Sequence, residues 1–391
     1  MRSAARLSER AVHDNRAPAP IRSYVGQAPD TLLFAAVAAL LGIGLVMIFS
    51  ASSATAYAEH HDVAYYAKRQ FVWLIVGLIC AYGAYRIPYN KLKRVAPYLL
   101  VGSILSLALV LVPHVGLSVN GARRWIGLSS LSLQPSEFAK LAIVIYLAAK
   151  LSNYGDRVRS FVKGLFPLCV PVVAMAVLVL KEPDMGTASL LVMIAFAMFF
   201  AAGARIAHLT GIFLATVPPV ILTILASPYK RARIFAFINP WRDAQNTGFH
   251  IVQSLLALGS GGLFGVGLGA SRAKFFYLPE QYTDFIFSIL GEELGLIGCF
   301  AVVGLFLLFA YRAVKVAMDA PDRFGFFLAI GSAATIVIQA FINIGVVTSS
   351  WPVTGVPLPF ISFGGSSLIV NLIAVAFILN VGRHRRVSTI E

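Results

Sequence analysis

The sequence predicts an all-α integral membrane protein with about ten transmembrane helices and one long loop on the outer side. Of its 391 residues, 58% are hydrophobic and only 13% are charged, whereas about a quarter of the residues in a soluble domain are charged. The apolar residues also come in blocks of about 20, the length that an α-helix needs to cross the hydrocarbon core of a bilayer. These two observations exclude an ordinary soluble domain.

Ten apolar blocks are predicted to be the spans. They lie near residues 31–51, 71–85, 95–112, 136–151, 161–180, 187–202, 206–226, 285–311, 324–348 and 366–381. A single membrane domain therefore covers 31–385, with a long outer loop over 227–284 between the seventh and eighth spans. The polar segment 1–30 is predicted to be a disordered basic cytoplasmic tail, and 386–391 a short cytoplasmic tail.

Lysine and arginine set the predicted orientation. With the N-terminus inside, the cytoplasmic segments carry about twice as many of these residues as the outer segments, so both termini are expected in the cytoplasm. The apolar stretch 251–270 inside the long loop is the alternative for an eleventh span. Its many glycines disfavour a regular helix, so we predict a re-entrant or interfacial segment that does not cross.

Ionisable residues at membrane depth are costly and commonly mark functional sites, and four groups lie near the predicted outer face. In the first, 134–140, Glu137 and Lys140 share one helix face. They form either an internal ion pair or the wall of a charged cavity. In the second, 181–187, Asp184 either caps the next helix or contributes to a site.

The third group surrounds the start of the eighth span. Glu280 and Asp284 come just before it, and Asp284 is either a helix N-cap or a reactive carboxylate. Glu292 and Glu293 lie deeper, where we expect them to satisfy buried partners. The fourth group, 352–367, is stiffened by prolines and glycines and is either a packing loop or an anion-binding turn at a helix start.

Basic residues on the outer side complete the candidate set. Arg124 and Arg233 are the arginines expected to bind phosphate, because a guanidinium pairs with phosphate in bidentate geometry. The remaining outer basic residues include Arg123, Lys230, Arg231 and Lys274. For each of them, contact with lipid headgroups is the alternative.

Several familiar catalytic patterns are absent from the sequence. It contains no HExxH, GxSxG, CxxC or Walker A sequence, and no DxD pair typical of metal and nucleotide-sugar binding. The GVGLGA stretch at 265–270 lacks the strand-helix-strand context of a dinucleotide site. If a sugar is transferred, a lipid-linked donor therefore fits better than a nucleotide-linked one.

The polar groups belong to longer stretches that occur in a distinctive order. These stretches are NGARRWIGL (120–128), QPSEFAKL (134–141), EPDMGTA (182–188), RIFAFINPW (233–241), QSLLALGSGGLFGVGLG (253–269), LPEQYTDFIFSILGEELGLIG (278–298), NIGVVT (343–348) and PVTGVPLPFISFGGSSL (352–368). Together they resemble the SEDS family of bacterial cell-wall polymerases, which includes FtsW, RodA and SpoVE. GVGLGAS followed by YLPE resembles FtsW and SpoVE more than RodA, whereas Gln281-Tyr282 and Ser349-Ser350 depart from the usual FtsW residues.

The resemblance implies a peptidoglycan glycosyltransferase at the outer face of the bacterial cytoplasmic membrane. It would polymerise lipid II into β-1,4 glycan strands, by inverting transfer from a chain carried on undecaprenyl pyrophosphate, in cell division, cell-shape maintenance or sporulation. Asp284 matches the essential aspartate of the family and is expected to be the general base. The expected substrate-binding residues are Arg124, Glu137, Lys140, Asp184, Arg233 and Glu280.

The sequence itself requires no cofactor. A divalent cation, Mg²⁺ or Mn²⁺, would suit a site with carboxylates and pyrophosphate, and Asp184 and Asp284 are the candidate ligands. The expected partners are a class B penicillin-binding transpeptidase, other division or elongation proteins, membrane lipid and the lipid-linked substrates, but no nucleic acid. The alternatives to an enzyme are a lipid II flippase and a non-catalytic scaffold for the transpeptidase.

Overall fold

The computed structural model of the chain describes residues 29–113, 116–119, 122–128 and 131–384. The described helices are α1 (Thr31–His60), α2 (Tyr65–Arg86), α3 (Asn90–Val110), α4 (Pro135–Tyr154), α5 (Phe166–Lys181), α6 (Met185–Ala201), α7 (Ile206–Leu225), α8 (Pro228–Ile238), α9 (Phe249–Ser260), α10 (Ile286–Met318), α11 (Arg323–Val347) and α12 (Gly365–Arg383). The two predicted tails fall almost entirely outside the described residues.

The helices confirm the predicted fold class. Each of the ten predicted spans overlaps one helix, and α8 and α9 lie in the predicted long loop. By length and composition, six helical segments in the described ranges can cross a membrane: α1, α3, Phe161–Lys181, α10, α11 and α12. Helix α6 is also apolar but shorter. The chain is therefore a multi-span helical protein, and ten crossings remain a prediction.

The interior of the bundle is built around α12 and α11. Helix α12 is buried along most of its length and packs against α2, α4, α10 and α11, while α11 also packs against α4 and α6. Buried amides reinforce this packing: Asn380 Nδ2 on α12 lies 2.6 Å from Ile87 O and 2.9 Å from Tyr85 O. Asn380 thus satisfies carbonyl groups at the C-terminal end of α2, which lack partners within their own helix.

The glycine-rich stretch that follows α9 packs against a break in α10. Gly295 interrupts that helix with a φ of 67° and a ψ of −167°. Val266 N–H donates to Glu292 O at 3.0 Å, and Leu296 N–H donates to Gly262 O at 3.0 Å. Only glycine fits at position 265, because a β-carbon there would lie 2.1 Å from Glu293 O. With its 12 residues, α9 is about 18 Å long, too short for an eleventh span.

A small antiparallel sheet between α3 and α4 was not predicted from the sequence. Its strands are β1 (Leu117–Val119), β2 (Ala122–Leu128) and β3 (Leu131–Leu133), in the order β1-β2-β3. In the register, Trp125 of β2 lies opposite Leu117, and Ile126 lies opposite Leu133. The sheet matters for function because β2 carries Arg124.

Candidate active site

The four predicted polar groups meet at one end of the bundle, around the loop 352–359. In this loop Gly355 lies against Asp284, since a β-carbon at Gly355 would be 3.4 Å from Asp284 Oδ2. Its φ of +71° also favours glycine. Gly186, in the first turn of α6, faces the same loop, where a β-carbon would lie 2.6 Å from Thr354 O. The loop therefore lies between Asp284 and the start of α6.

The first predicted group joins the same cluster through Gln134. Its side-chain Nε2 donates to Asp184 Oδ2 at 3.2 Å, and its backbone N–H donates to Ser366 Oγ at 3.0 Å. Ser366 lies in the first turn of α12, which is separated from the end of the loop 352–359 by five residues. Through its side chain and its backbone N–H, Gln134 thus connects the starts of three helices: α4, α6 and α12.

Asp284 is half-buried at the centre of this cluster. Helix α10 begins at Ile286 with Phe285 as its N-cap residue, and no side chain caps it. The alternative of Asp284 as a helix cap is therefore wrong. Its backbone carbonyl is held by Asn343 Nδ2 at 2.7 Å, but no hydrogen bond to its carboxylate occurs among the described residues. A fixed backbone thus presents a carboxylate that the described protein groups do not satisfy.

The surroundings of Asp284 raise the pKa of its carboxyl group to about 7. The main cause is burial, which disfavours the charged form, and the negative charges of Glu280 and Asp184 act in the same direction. Arg233 and Arg124 oppose the shift. A carboxyl group with a pKa near 7 exchanges its proton readily at neutral pH, as a general base or acid must.

Asp184 caps α6 as the capping interpretation predicted, and it also faces the cluster. Its Oδ1 accepts a hydrogen bond from Thr187 N–H at 2.9 Å, and its Oδ2 accepts one from Thr187 Oγ1 at 3.0 Å. Arg124 Nη1 lies 3.9 Å from Asp184 Oδ2. Asp184 therefore fixes the start of a helix, and its carboxylate also lies beside Arg124 in the cluster.

Arg124 ties the small sheet to the turn that precedes α6. Its Nε donates to Glu182 O at 2.9 Å, and its Nη2 donates to Pro183 O. Two of its nitrogens are thus engaged with backbone carbonyls, and its side chain is 28% exposed. The guanidinium keeps its positive charge toward the cluster while it holds the turn in place.

Glu182 belongs to the cluster, although the sequence pattern did not single it out. The residue is fully buried, and neither carboxylate oxygen has a hydrogen-bond partner in the described structure. Burial, followed by the charge of Asp184, raises the pKa of Glu182 to about 8, while Arg124 acts in the opposite direction. At neutral pH the protonated form of its carboxyl group is therefore favoured.

Arg233 approaches the cluster from α8. Its Nη1 donates to Val353 O at 3.2 Å, which brings α8 against the loop 352–359. Next to it lies His250 of α9, another residue that the sequence pattern missed, with its ring stacked 5.8 Å from that of Phe285. Burial and then the charge of Arg233 lower the pKa of His250, which favours the neutral form of its ring.

Glu137 and Lys140 form an ion pair inside the bundle. Their Oε2 and Nζ atoms are 2.8 Å apart, and the lysine side chain has no exposed surface. Lys140 Nζ also donates to Gln339 Oε1 at 2.7 Å, and Gln339 Nε2 donates to Pro357 O at 2.9 Å. This geometry favours an internal ion pair over a cavity wall. It links the pair to the loop 352–359 through one amide.

Glu280 lies at the rim. It has a φ of +54°, and its carboxylate accepts a hydrogen bond from Thr283 Oγ1 at 2.8 Å. The strained backbone aims an exposed carboxylate near Asp284, whose pKa it raises. Among the other outer basic residues, Arg123 is exposed, and the side chain of Lys230 lies outside the described part.

Lys274, counted among the outer basic residues, is buried and available neither to phosphate nor to lipid headgroups. It is buried, with Nζ at 3.6 Å from Glu293 Oε1 and 2.5 Å from Gly269 O. Glu293 also accepts hydrogen bonds from Ser50 Oγ at 2.6 and 2.8 Å. Glu292 accepts them from Ser271 Oγ and from Arg272 N–H, the latter at 2.9 Å. Both glutamates satisfy buried partners, as expected.

The donor set of the cluster suits a hard divalent cation. The described residues contain no group of three or more histidine, cysteine, aspartate or glutamate side chains close enough to form a metal site by themselves. Mg²⁺, however, is commonly bound through one or two carboxylates together with substrate phosphates and water. If such a cation binds here, the unsatisfied carboxylate of Asp284 and that of Asp184 would be its protein ligands.

Comparison with known proteins identifies sequences that resemble this one over nearly its whole length. A family model for cell cycle proteins of the FtsW, RodA and SpoVE group matches residues 30–387. A probable peptidoglycan glycosyltransferase FtsW from Trichlorobacter lovleyi is 44% identical over 352 residues, or 90% of this chain and 92% of that protein. The stage V sporulation protein E of Bacillus subtilis is 44% identical over 358 residues, or 92% and 98%.

Solved structures share the fold. A chain from a peptidoglycan synthase complex, studied for its structural coordination of polymerization and crosslinking, matches with a TM-score of 0.75 and 31% identity, covering 91% of this chain and 98% of its own length. The rod shape determining protein RodA of Thermus thermophilus matches with a TM-score of 0.67 and 31% identity, covering 92% and 98%. The overall arrangement of helices therefore has counterparts in both.

Proposed function

Since the chain belongs to the FtsW, RodA and SpoVE family of cell cycle proteins, we propose that it is a peptidoglycan glycosyltransferase acting on lipid II. Relatives named for this activity are similar over about nine-tenths of the chain. The observation that carries the proposal is the carboxylate of Asp284, which is half-buried, held by its backbone and free of hydrogen bonds to the described residues. Two arginines lie close enough to affect its pKa.

The proposed reaction joins two lipid-linked sugars. The 4-hydroxyl of a GlcNAc on lipid II attacks the anomeric carbon of the growing chain, which is carried on undecaprenyl pyrophosphate. The new C–O bond forms as the bond to the pyrophosphate breaks, and the electron pair leaves with the phosphate oxygen. The hydroxyl proton passes to the Asp284 carboxylate. Attack from the face opposite the leaving group turns an α-linked pyrophosphate into a β-1,4 glycoside.

Arg233 and Arg124 are the proposed sites for the pyrophosphate charge. Each guanidinium lies at the edge of the cluster, and one of its nitrogens donates to a backbone carbonyl. An anchored guanidinium is already oriented, so less side-chain entropy is lost when it binds a phosphate. Asp184 and Glu280 add negative charge, which keeps the pKa of Asp284 high and suits a substrate-bound cation.

The buried pair of Glu137 and Lys140 is proposed to act on the site indirectly. Because Lys140 has no exposed surface, we propose that it contributes to the site through Gln339 and the loop 352–359 and not by touching substrate. If Mg²⁺ or Mn²⁺ takes part, Asp184 and Asp284 would hold it against the pyrophosphate. The cation would neutralise charge on the leaving group.

The proposed location is the bacterial cytoplasmic membrane, with the cluster facing outward and both termini in the cytoplasm. Cysteine labelling at residues 10 and 388 tests this orientation, and labels on opposite sides would contradict it. The proposed partner is a class B penicillin-binding transpeptidase. Support comes from the similarity to a chain of a peptidoglycan synthase complex that couples polymerization to crosslinking.

The decisive experiment measures polymerisation and transport side by side. The purified chain, with its transpeptidase partner chemically inhibited, is given lipid II in detergent, with Mg²⁺, with Mn²⁺ or with a chelator. Glycan strands should form, and loss of product with the chelator would show that a cation is needed. The same protein in vesicles is tested for moving lipid II between leaflets. Transport without polymerisation would contradict the enzyme proposal and support a lipid II flippase. Absence of both activities would support a non-catalytic scaffold.

A further inference from the structure

A second polar pocket lies at the opposite end of the bundle from Asp284. Its lining includes Asp156, Arg159, Ser160, Arg205 and His208, and its volume is about 550 Å³. The turn Gly155–Arg159 follows α4, whose 20 residues span about 30 Å. Since α4 begins beside the acidic cluster, this pocket is separated from the cluster by about the thickness of the hydrocarbon core.

The pocket has an excess of unpaired positive charge. Neither Arg159 nor Arg205 has a carboxylate oxygen within the 4.0 Å of an ion pair in the described structure, and Asp156 is the acidic residue in the lining. His208 Nδ1 is buried and has no hydrogen-bond partner among the described residues. Two guanidinium groups and an unsatisfied imidazole nitrogen together favour an anion with several oxygens, such as a phosphate.

Apolar side chains flank the same pocket. Phe161 lines it and is 41% exposed, and its ring lies 5.8 Å from that of His208. Three apolar neighbours are also exposed: Ile206, directly after Arg205, at 71%, Val162 at 70% and Phe166 at 55%. A charged pocket with exposed apolar neighbours at the end of a helical bundle matches the boundary between headgroups and acyl chains. A phosphate attached to acyl chains fits these surroundings better than a free phosphate does.

We propose that this pocket binds the headgroup of one glycerophospholipid in the leaflet opposite the acidic cluster. Arg159 and Arg205 take the phosphate, while Asp156 accepts hydrogen bonds from the donor group of the headgroup. The donor is an ammonium in phosphatidylethanolamine or a hydroxyl in phosphatidylglycerol. Phosphatidylcholine, whose quaternary nitrogen has no N–H group, should bind more weakly. This inference does not depend on the function proposed for the acidic cluster.

The test uses the full chain, purified and stripped of lipid, and native mass spectrometry with the three phospholipids added separately. Wild-type protein should retain phosphatidylethanolamine and phosphatidylglycerol in preference to phosphatidylcholine. The double variant Arg159→Gln/Arg205→Gln should bind the first two about tenfold more weakly. Arg157→Gln is the matched control, since it removes a charge from the same turn without changing the pocket lining.

A second variant keeps the test independent of folding in the double variant. Asp156→Asn should reduce the preference for phosphatidylethanolamine over phosphatidylcholine while the arginines remain. Equal lipid binding by wild type and both pocket variants would overturn the proposal. Inorganic phosphate that displaces the lipid at comparable concentration would reassign the pocket to a soluble phosphate and overturn the lipid assignment. The apparent melting temperature of each variant in detergent serves as the fold control, so the test does not depend on the activity proposed for the acidic cluster.

Discussion

Two clusters of acidic residues lie at the two ends of the first helical stretch of α10, before the break at Gly295. They differ in how many hydrogen bonds their carboxylates accept. Asp284, just before the helix, accepts no hydrogen bond from the described residues. Glu293, within the helix, accepts hydrogen bonds from Ser50 and pairs with Lys274. The neighbouring Glu292 accepts three, from Ser271 and two backbone N–H groups. The first cluster is open and the second is closed.

This difference separates a reactive carboxylate from a structural one. A buried carboxylate with several donors and a cation nearby stabilises the packing of the segments that supply them. In the closed cluster these segments are α1, the glycine-rich stretch and α10. A carboxylate held by its backbone but left without donors has a raised pKa and remains available to an incoming group. Sequence alone shows only that both clusters are acidic.

Replacement of Asp284 by asparagine should have the largest effect on catalysis. Asparagine has nearly the same shape but cannot take the proton, so polymerisation should fall by about 100-fold or more. Because Asp284 makes no cap, folding should be unchanged in both Asp284→Asn and Asp284→Ala. Glycan-strand formation from lipid II with an inhibited transpeptidase partner measures the loss. Near-normal polymer from the asparagine variant would remove Asp284 as the base and leave Glu280 or Asp184 as the choice.

Glu293→Ala should show the opposite pattern, with a large effect on stability and a small one on chemistry. It leaves the buried ammonium of Lys274 without its carboxylate, which costs about 3–5 kcal/mol in comparable buried pairs. The apparent melting temperature in detergent should drop sharply, while turnover per folded molecule stays close to wild type. Removing both charges, as Glu293→Gln/Lys274→Met, should restore part of the stability. The exposed Glu59→Ala is the control. If Glu293→Ala protein is stable but loses turnover, Glu293 is not purely structural, and the distinction between a reactive and a structural cluster is wrong.

The sequence predicts the long helices of the fold but not its small sheet. The long helices were predictable because their apolar blocks end at charges, prolines and glycines. The sheet at Leu117–Leu133 was not, since two of its strands have only three residues each and too few side chains to show an alternating pattern. Their pairing depends on β2, whose Arg124 donates to the turn before α6.

The acidic site was predictable in part for the same kind of reason. Asp284, Asp184 and Arg124 are recognisable from local motifs. The roles of Glu182 and Lys274 are not, because each depends on a partner from a distant segment: Arg124 for one and Glu293 for the other. A charge count along the chain shows where a lysine lies in sequence but not whether a carboxylate neutralises it. Tertiary packing therefore decides which charges remain available.

Substitutions of Arg233 and Arg124 sharpen the definition of the open cluster. Arg233→Ala removes one guanidinium from the proposed pyrophosphate site and should raise KM for lipid II about tenfold, with Arg233→Lys recovering part of the loss. Arg124→Lys should recover less, because a lysine keeps the charge but cannot donate to the carbonyls of Glu182 and Pro183 together. Steady-state kinetics separate KM from kcat. Wild-type kinetics in both alanine variants and in their double variant would exclude these arginines from the site.

The smallest expected effect is a shift in the pH profile caused by Glu280→Gln. The raised pKa of Asp284, about 7, means that the carboxyl group gains a proton as the pH falls through 7. A general base must be unprotonated, so kcat/KM should decline below that pH. Glu280→Gln removes a negative neighbour, which lowers the pKa of Asp284 and should move this decline to lower pH by a fraction of a unit. Arg233→Gln should move it to higher pH. The exposed Glu59→Gln, on α1, is the matched control. If the decline occurs at the same pH in both variants, the titrating group is not Asp284. The open cluster would then have no identified catalytic carboxylate.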